Sequence, residues 1–351
     1  MEDHQSPHVS RRLIWICGSA VLAVAALYSG LWLMFATSLR DVAMEWVNEQ
    51  RTKGWAIAVD APRIHGFPKW PAIDLPAVSV TAPLEDGGWS WQADILTLEP
   101  AAFDLTRLTV HAPGTHLVST PLATNRSWTL HVENAAVELD LDSRGKWQSA
   151  RIDFDQAELR DSFERPWIGA VRIDATLALA DNSSGPGDVF ANFTGAADAL
   201  RFGVRLGPFD RTMRALRLEA DLVGPINPGR LSEALEAWRS GGGTLEVRRV
   251  LLDWPPLAIA GDGTMALDDR LQPIGTFSTR ITGFNETLKS MEAGGILPRG
   301  QAESAQIILG LLAKTPRGSD EPELSVPLSV QDQRLSVGPF NLMDVPEVCW
   351  E

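Results

Sequence analysis

The chain is 351 residues long, 44% hydrophobic and 22% charged, a balance that builds a folded core and excludes an intrinsically disordered protein. Its formal net charge of −14 is repelled by phosphate, which disfavours nucleic-acid partners and electrostatic docking on anionic headgroups. Contact with lipid acyl chains, being apolar, is untouched by that argument.

The first element is a run from Leu13 to Phe35, LIWICGSAVLAVAALYSGLWLMF, with no charged residue. About 20 helical residues cross the hydrocarbon core of a bilayer, so this run is long enough to span it. Arg11 and Arg12 stand directly before it and predict a cytoplasmic tail at residues 1–12 with an exported C-terminal side; Arg40, Arg51 and Lys53 weaken the contrast. Trp15, Tyr28 and Trp32 suit anchoring at the two interfaces. A cleavable signal peptide competes with this reading, through the small residues Ala23-Val24-Ala25, but that site falls in mid-run. Cys17 follows the bulky Ile14-Trp15-Ile16, unlike a lipidated cysteine. With Cys349 at the other end of the chain, no structural disulfide is expected.

Residues 36–54 continue as a juxtamembrane helix. Leu39, Val42, Ala43, Trp46 and Val47 follow helical spacing, and Gly54 is a natural stop. From residue 55 to 351 the dominant pattern is alternation, the signature of half-buried strands. It shows in Trp128, Leu130 and Val132, in Val137, Leu139 and Leu141, in Val171 through Leu179, and in Leu216 through Leu222. Turn signals separate the runs at Asp86-Gly87-Gly88, Ala112-Pro113-Gly114, Ser143-Arg144-Gly145 and Gly185-Pro186-Gly187. Helical periodicity is confined to Gly229 to Trp238, Glu286 to Ala293 and Gln301 to Ala313, and Gly318 to Pro322 reads as a loop. The expected fold is mainly β: one membrane-spanning helix, then a large antiparallel sheet with one apolar face and a few short helices. At roughly 12 residues per strand and turn, the exported part predicts about 24 strands, hence a sheet about 115 Å wide.

The chemistry-bearing patterns have structural explanations. Gly261-Asp262-Gly263-Thr264 matches part of a dinucleotide fingerprint, but alternating Leu257, Ile259, Met265 and Leu267 predict a hairpin turn instead of the required helix. His111 and His116 lie five apart across a Pro-Gly turn, and no histidine pair has zinc-site spacing, so the histidines are read as surface or turn residues. The carboxylate pairs Asp140/Asp142 and Asp153/Asp155 occupy the polar half of alternating strands, where solvated charge is the default. No nucleophile elbow or phosphate loop is present. No catalytic residue, cofactor or metal is expected.

Three stretches carry a family resemblance. One runs from Glu45-Trp46-Val47 through Gly54-Trp55 to Ile64-His65-Gly66-Phe67-Pro68. Another joins Gly241-Gly242-Gly243-Thr244 to Asp253-Trp254-Pro255-Pro256 and Gly261-Asp262-Gly263-Thr264. The last includes Pro273-Ile274-Gly275-Thr276-Phe277, Ile281-Thr282-Gly283-Phe284 and the late Gly338-Pro339-Phe340. In this order they resemble the bacterial envelope family catalogued as domain of unknown function 2125; here Lys69-Trp70-Pro71 interrupts the strand that usually follows Gly-Phe-Pro. The second and third stretches are also similar to the C-terminal part of AsmA-like proteins. That resemblance implies an inner-membrane anchor, a periplasmic sheet curved into an apolar groove, a role in lipid homeostasis and phospholipid acyl chains as ligand.

Gly66, Phe67 and Pro68 are the one candidate site. They are read either as a contact at the groove entrance near the membrane, or as a tight turn with Phe67 packed in the core. The expected function is non-enzymatic lipid binding or handling at the bacterial inner membrane; the alternative is an assembly factor that binds another envelope protein through its sheet.

Overall fold

The computed structural model describes residues 11–83, 88–102, 104–120, 126–180, 185, 187–227, 229–315, 321–337 and 340–350. Helix α1 (Arg11–Thr52) joins the apolar run and the juxtamembrane segment without a break. Its 42 residues reach about 63 Å at 1.5 Å per residue. Only 6% of its apolar window is buried, so it is not the core helix of a soluble domain.

Everything that follows builds one antiparallel sheet. Strands β1 (Ala56–Ala58) and β2 (Arg63–His65) both pair with β3 (Ala72–Thr81), at opposite ends of it, and form one interrupted edge row. Next to β3 lies β4 (Ser90–Ala101). Strands β5 (Asp104–His111) and β6 (Gly114–Thr120) share a row between β4 and β7 (Arg126–Leu141). Then β8 (Trp147–Arg160), β9 (Pro166–Leu179), β10 (Val189–Phe202) and β11 (Thr212–Val223) add in chain order. They are followed by β12 (Thr244–Trp254), β13 (Leu257–Leu267), β14 (Pro273–Thr282), β15 (Leu324–Gln331), β16 (Arg334–Val337) and β17 (Phe340–Asp344). Two rows hold two strands each, so the seventeen strands make fifteen rows, about 65–70 Å across at the usual spacing. The expectation of about 24 strands is corrected: strands of up to 16 residues replace the assumed short ones.

Three short helices interrupt the meander: α2 (Leu231–Ser240) between β11 and β12, and α3 (Phe284–Ala293) with α4 (Arg299–Leu312) between β14 and β15. Each lies within two residues of its sequence-predicted start. Trp238 secures α2, being 6% exposed and donating its indole N–H to the Val223 carbonyl at 2.8 Å. Gly243 makes room for that ring, since a Cβ there would lie 2.3 Å from it.

Three readings of glycine and histidine are corrected. Ala112-Pro113-Gly114 does not reverse the chain: β5 and β6 run on in one direction between the same neighbours, and the segment is a break within a row. Gly261 to Thr264 is not a hairpin turn but the middle of β13. Its glycines admit the neighbouring strand, because a Cβ on Gly263 would lie 2.3 Å from the Thr276 carbonyl oxygen. His116 is neither a surface nor a turn residue; it is buried, stacked on Trp91 at 5.8 Å and bonded to the Ala112 carbonyl at 2.8 Å. The Asp86-Gly87-Gly88 turn falls mostly outside the described residues, as do Pro186 and most of Gly318 to Pro322.

Trp238→Ala should destabilise the sheet by about 3–5 kcal/mol, the usual range for emptying a buried tryptophan site, read as a lowered denaturation midpoint of the detergent-solubilised protein.

Candidate functional site

The register gathers mainly apolar residues on one side of the sheet from β2 to β15. Ile64, Ile73, Leu98, Val110, Val137, Ile152, Ala175, Gly195, Leu218, Val250, Gly261, Thr279 and Val326 stand opposite one another in an unbroken line from β2 to β15. One residue along, on the other side, the line from β2 to β9 reads Arg63, Asp74, Thr97, His111, Ala136, Asp153 and Asp174. Most of the apolar line is only half-buried, and among the described residues no second sheet lies over it.

A seam crosses the sheet where the alternation slips by one residue. The ladders omit the pairs that would join Glu133 to Gln156, Gln156 to Val171, Val171 to Ala199 and Ala199 to Arg214. The same omission separates Ala77 from Asp94. Ala77, Gln156 and Ala199 each adopt φ of 50°, a left-handed conformation costing about 1–2 kcal/mol per residue. The slip returns apolar side chains to the same face three residues on. Val132 thus joins Ala135, Phe154 joins Ala157, and Ala170, Leu200 and Met213 meet Ile173, Ala197 and Leu216 in two clusters built almost wholly of strand residues, with Ala112 from the break between β5 and β6 joining one of them.

Burial is deep along the seam. Val132, Ala135, Ala157, Ala170, Ala197, Leu200 and Met213 are all 9% exposed or less. Among the described residues no helix contributes to those clusters, and irregular strand positions of this kind bend and twist a strand locally. One face of the sheet thus carries a seam of small, buried residues within a wider, half-buried apolar surface.

The polar face holds its charges in pairs. Arg107 donates to Asp140 at 3.0 Å, Ser149 to the same carboxylate at 2.8 Å, and Arg172 to Asp153 at 2.9 Å. The Ser149 hydroxyl and then the Arg107 guanidinium hold the Asp140 carboxyl below its ordinary range. A shallow pocket beside the seam, lined by Thr115, His131, Glu133, Gln156, Glu158 and Arg160, has its groups engaged with one another: Arg160 meets Glu158 at 2.6 Å and Thr115 meets His131 at 3.1 Å. Among the described residues no group of three or more metal-ligating side chains converges.

Gly66, Phe67 and Pro68 form the turn from β2 to β3, and Phe67 is not in the core. It is 55% exposed and packs against α1, with its ring 5.4 Å from Trp32 and 6.2 Å from Tyr28. Beside it Trp70 meets Phe35 at 4.9 Å. Tyr28 donates its hydroxyl to the Pro68 carbonyl, and Trp32 its indole N–H to the Lys69 carbonyl at 2.7 Å. Gly66 closes the turn at φ of 109°, where a Cβ would lie 2.2 Å from the Trp70 carbonyl oxygen. Further along α1, Arg51 donates to the Ile57 carbonyl at 2.8 and 2.6 Å, so the helix follows the first row from its turn to its far end. The sequence singled out the turn but not its helix partners; the one signal for them was aromatic residues near the end of the apolar run.

Residues 32–346 match the model of a family described as "Uncharacterized protein conserved in bacteria (DUF2125)". No curated protein and no solved structure matches the chain.

Gly66→Ala should cost more than about 1 kcal/mol, because alanine fits neither the dihedral nor the space; thermal unfolding in nanodiscs measures it. Asp140→Asn should be less stable than the parent at neutral pH, with the gap closing as pH falls below about 4. A depressed carboxyl contributes stability only while ionised, so paired melts at pH 7 and pH 3 check the sign.

Proposed function

The chain belongs to the DUF2125 family, conserved in bacteria, and we propose that it is a non-enzymatic, inner-membrane-anchored periplasmic protein that binds or handles lipid on the apolar face of its sheet for envelope homeostasis. The observation that carries the reading is the row of mainly apolar, half-buried residues from Leu98 to Leu218 on one side of the sheet, over which no second sheet lies among the described residues, while α1 packs at one end of the longer line and α3 and α4 at the other. Water against such a surface is unfavourable by about 25 cal/mol for each Å² of apolar area, and an acyl chain removes that cost without needing a specific polar contact. Arg11 and Arg12, at the start of α1 and directly before its apolar run, favour a cytoplasmic N-terminus, hence a periplasmic sheet. The motifs between Gly241 and Phe340, which we read as resembling the C-terminal part of AsmA-like proteins, point the same way. A width of about 65–70 Å suits a local role or one step in a longer path, not a complete bridge between membranes.

The alternative is an assembly factor that captures another envelope protein. Among the described residues β17 pairs only with β16, which leaves an edge for strand addition.

Native mass spectrometry of the full-length protein tests the choice. The wild type should retain phospholipid, whereas Ile152→Lys and Leu218→Lys, which put a charge in the middle of the apolar line, should retain at least tenfold less while keeping wild-type circular dichroism. A lipid-free wild type bound stoichiometrically to one envelope protein would reject lipid handling in favour of the alternative.

A further inference from the structure

We propose that the turn between β2 and β3, residues Gly66 to Trp70, is a second membrane contact: it lies in the interfacial layer of the bilayer leaflet on the sheet's side, clamped to the spanning helix by aromatic side chains. The proposal rests on α1 spanning a membrane and not on lipid occupying the apolar face.

Depth follows from counting. A span that starts at Leu13, directly after two arginines, covers about 30 Å of hydrocarbon by about residue 32. Tilt reduces the rise per residue and moves that boundary further along the chain, so it sets Trp32 deeper. Phe67 touches both Trp32 and Tyr28, and Tyr28 is one turn further in. The tip of the turn is therefore level with the boundary or just inside it.

The local chemistry fits that depth. Backbone carbonyls near hydrocarbon must be satisfied inside the protein. Pro68 has no N–H to satisfy, and the Pro68 and Lys69 carbonyls accept hydrogen bonds from Tyr28 and Trp32 on the helix itself. The exposed part of the turn is Phe67, Pro68 and Lys69, and an aromatic ring with a nearby lysine is the pair that settles at an interface with the ring toward the acyl chains and the ammonium toward phosphate. Ile64 and Ile73, the first residues of the apolar line, are on the strands that the turn connects. That line consequently starts at the level of the lipid.

Site-directed spin labelling of the full-length protein in phosphatidylethanolamine–phosphatidylglycerol nanodiscs tests this. In a Cys17→Ser, Cys349→Ser background, single labels are placed by Phe67→Cys, Lys69→Cys and Thr52→Cys. Thr52 is 20 residues beyond Trp32 on the same helix, about 30 Å further from the membrane. A label at position 67 should collide with oxygen at least threefold more than with a water-soluble nickel chelate, at 69 about equally with both, and at 52 mainly with the chelate. Nickel access at 67 and 69 equal to that at 52 would overturn the proposal. If Phe67→Cys fails to fold, the comparison of 69 with 52 decides alone. A membrane pattern at 67 together with lipid-free native spectra would leave the clamp standing and reject only the lipid-covered face.

Discussion

A sheet one layer thick with one apolar face has a problem that two-layer proteins do not. Its face needs cover, and here the chain supplies no second sheet among the described residues. Part of the answer is a seam: along the line of Glu133, Gln156, Val171, Ala199 and Arg214 the ladders break and the alternation slips, which brings apolar side chains from both sides of the slip together on one face. Non-glycine residues held at positive φ make this locally unfavourable, by about 1–2 kcal/mol each. Clusters such as Ala170, Ala197, Leu200 and Met213 offset that cost by excluding water from the seam. Away from the line the same face remains half-buried and mainly apolar.

The second dependency is mechanical. Helix α1 is continuous from the apolar run to Thr52 and is tied to the first row at both of the row's ends, by Phe67 and Trp70 beside the apolar run and by Arg51 near the helix C-terminus. Leu39 also packs on the cluster of Ile73, Leu75 and Val78. The anchor and the sheet therefore share one hydrophobic cluster at the edge of the fold.

Much of this was legible in the residues. Alternation identified strands from Trp128 onward but singled out none of β1 to β6, and helical spacing with glycine stops, or Pro316 in the case of α4, located the helices of the described residues. The seam was legible too, but only with hindsight: the apolar residues are even-numbered through Val132 and odd-numbered from Ala135, and a rule that treats each run separately discards that slip. Gly261 and Gly263 misled because glycine marks both turns and places where strands crowd, and only the neighbour's carbonyls distinguish them. Pro113-Gly114 misled similarly, since a proline and a glycine can interrupt a row without reversing it. The contact of Phe67 with Tyr28 and Trp32 joins segments nearly 40 residues apart and has no local pattern to betray it.

The meander has a consequence for how such a protein comes to exist. Every row after the first joins the row made just before it, so no strand waits for a partner synthesised much later. A chain emerging from a translocation channel can zip up progressively, with the newest strand always meeting a ready template. The same rule makes length cheap to vary in evolution. Duplicating a hairpin in the middle would widen the structure by two rows without rethreading anything, and deleting one would shorten it.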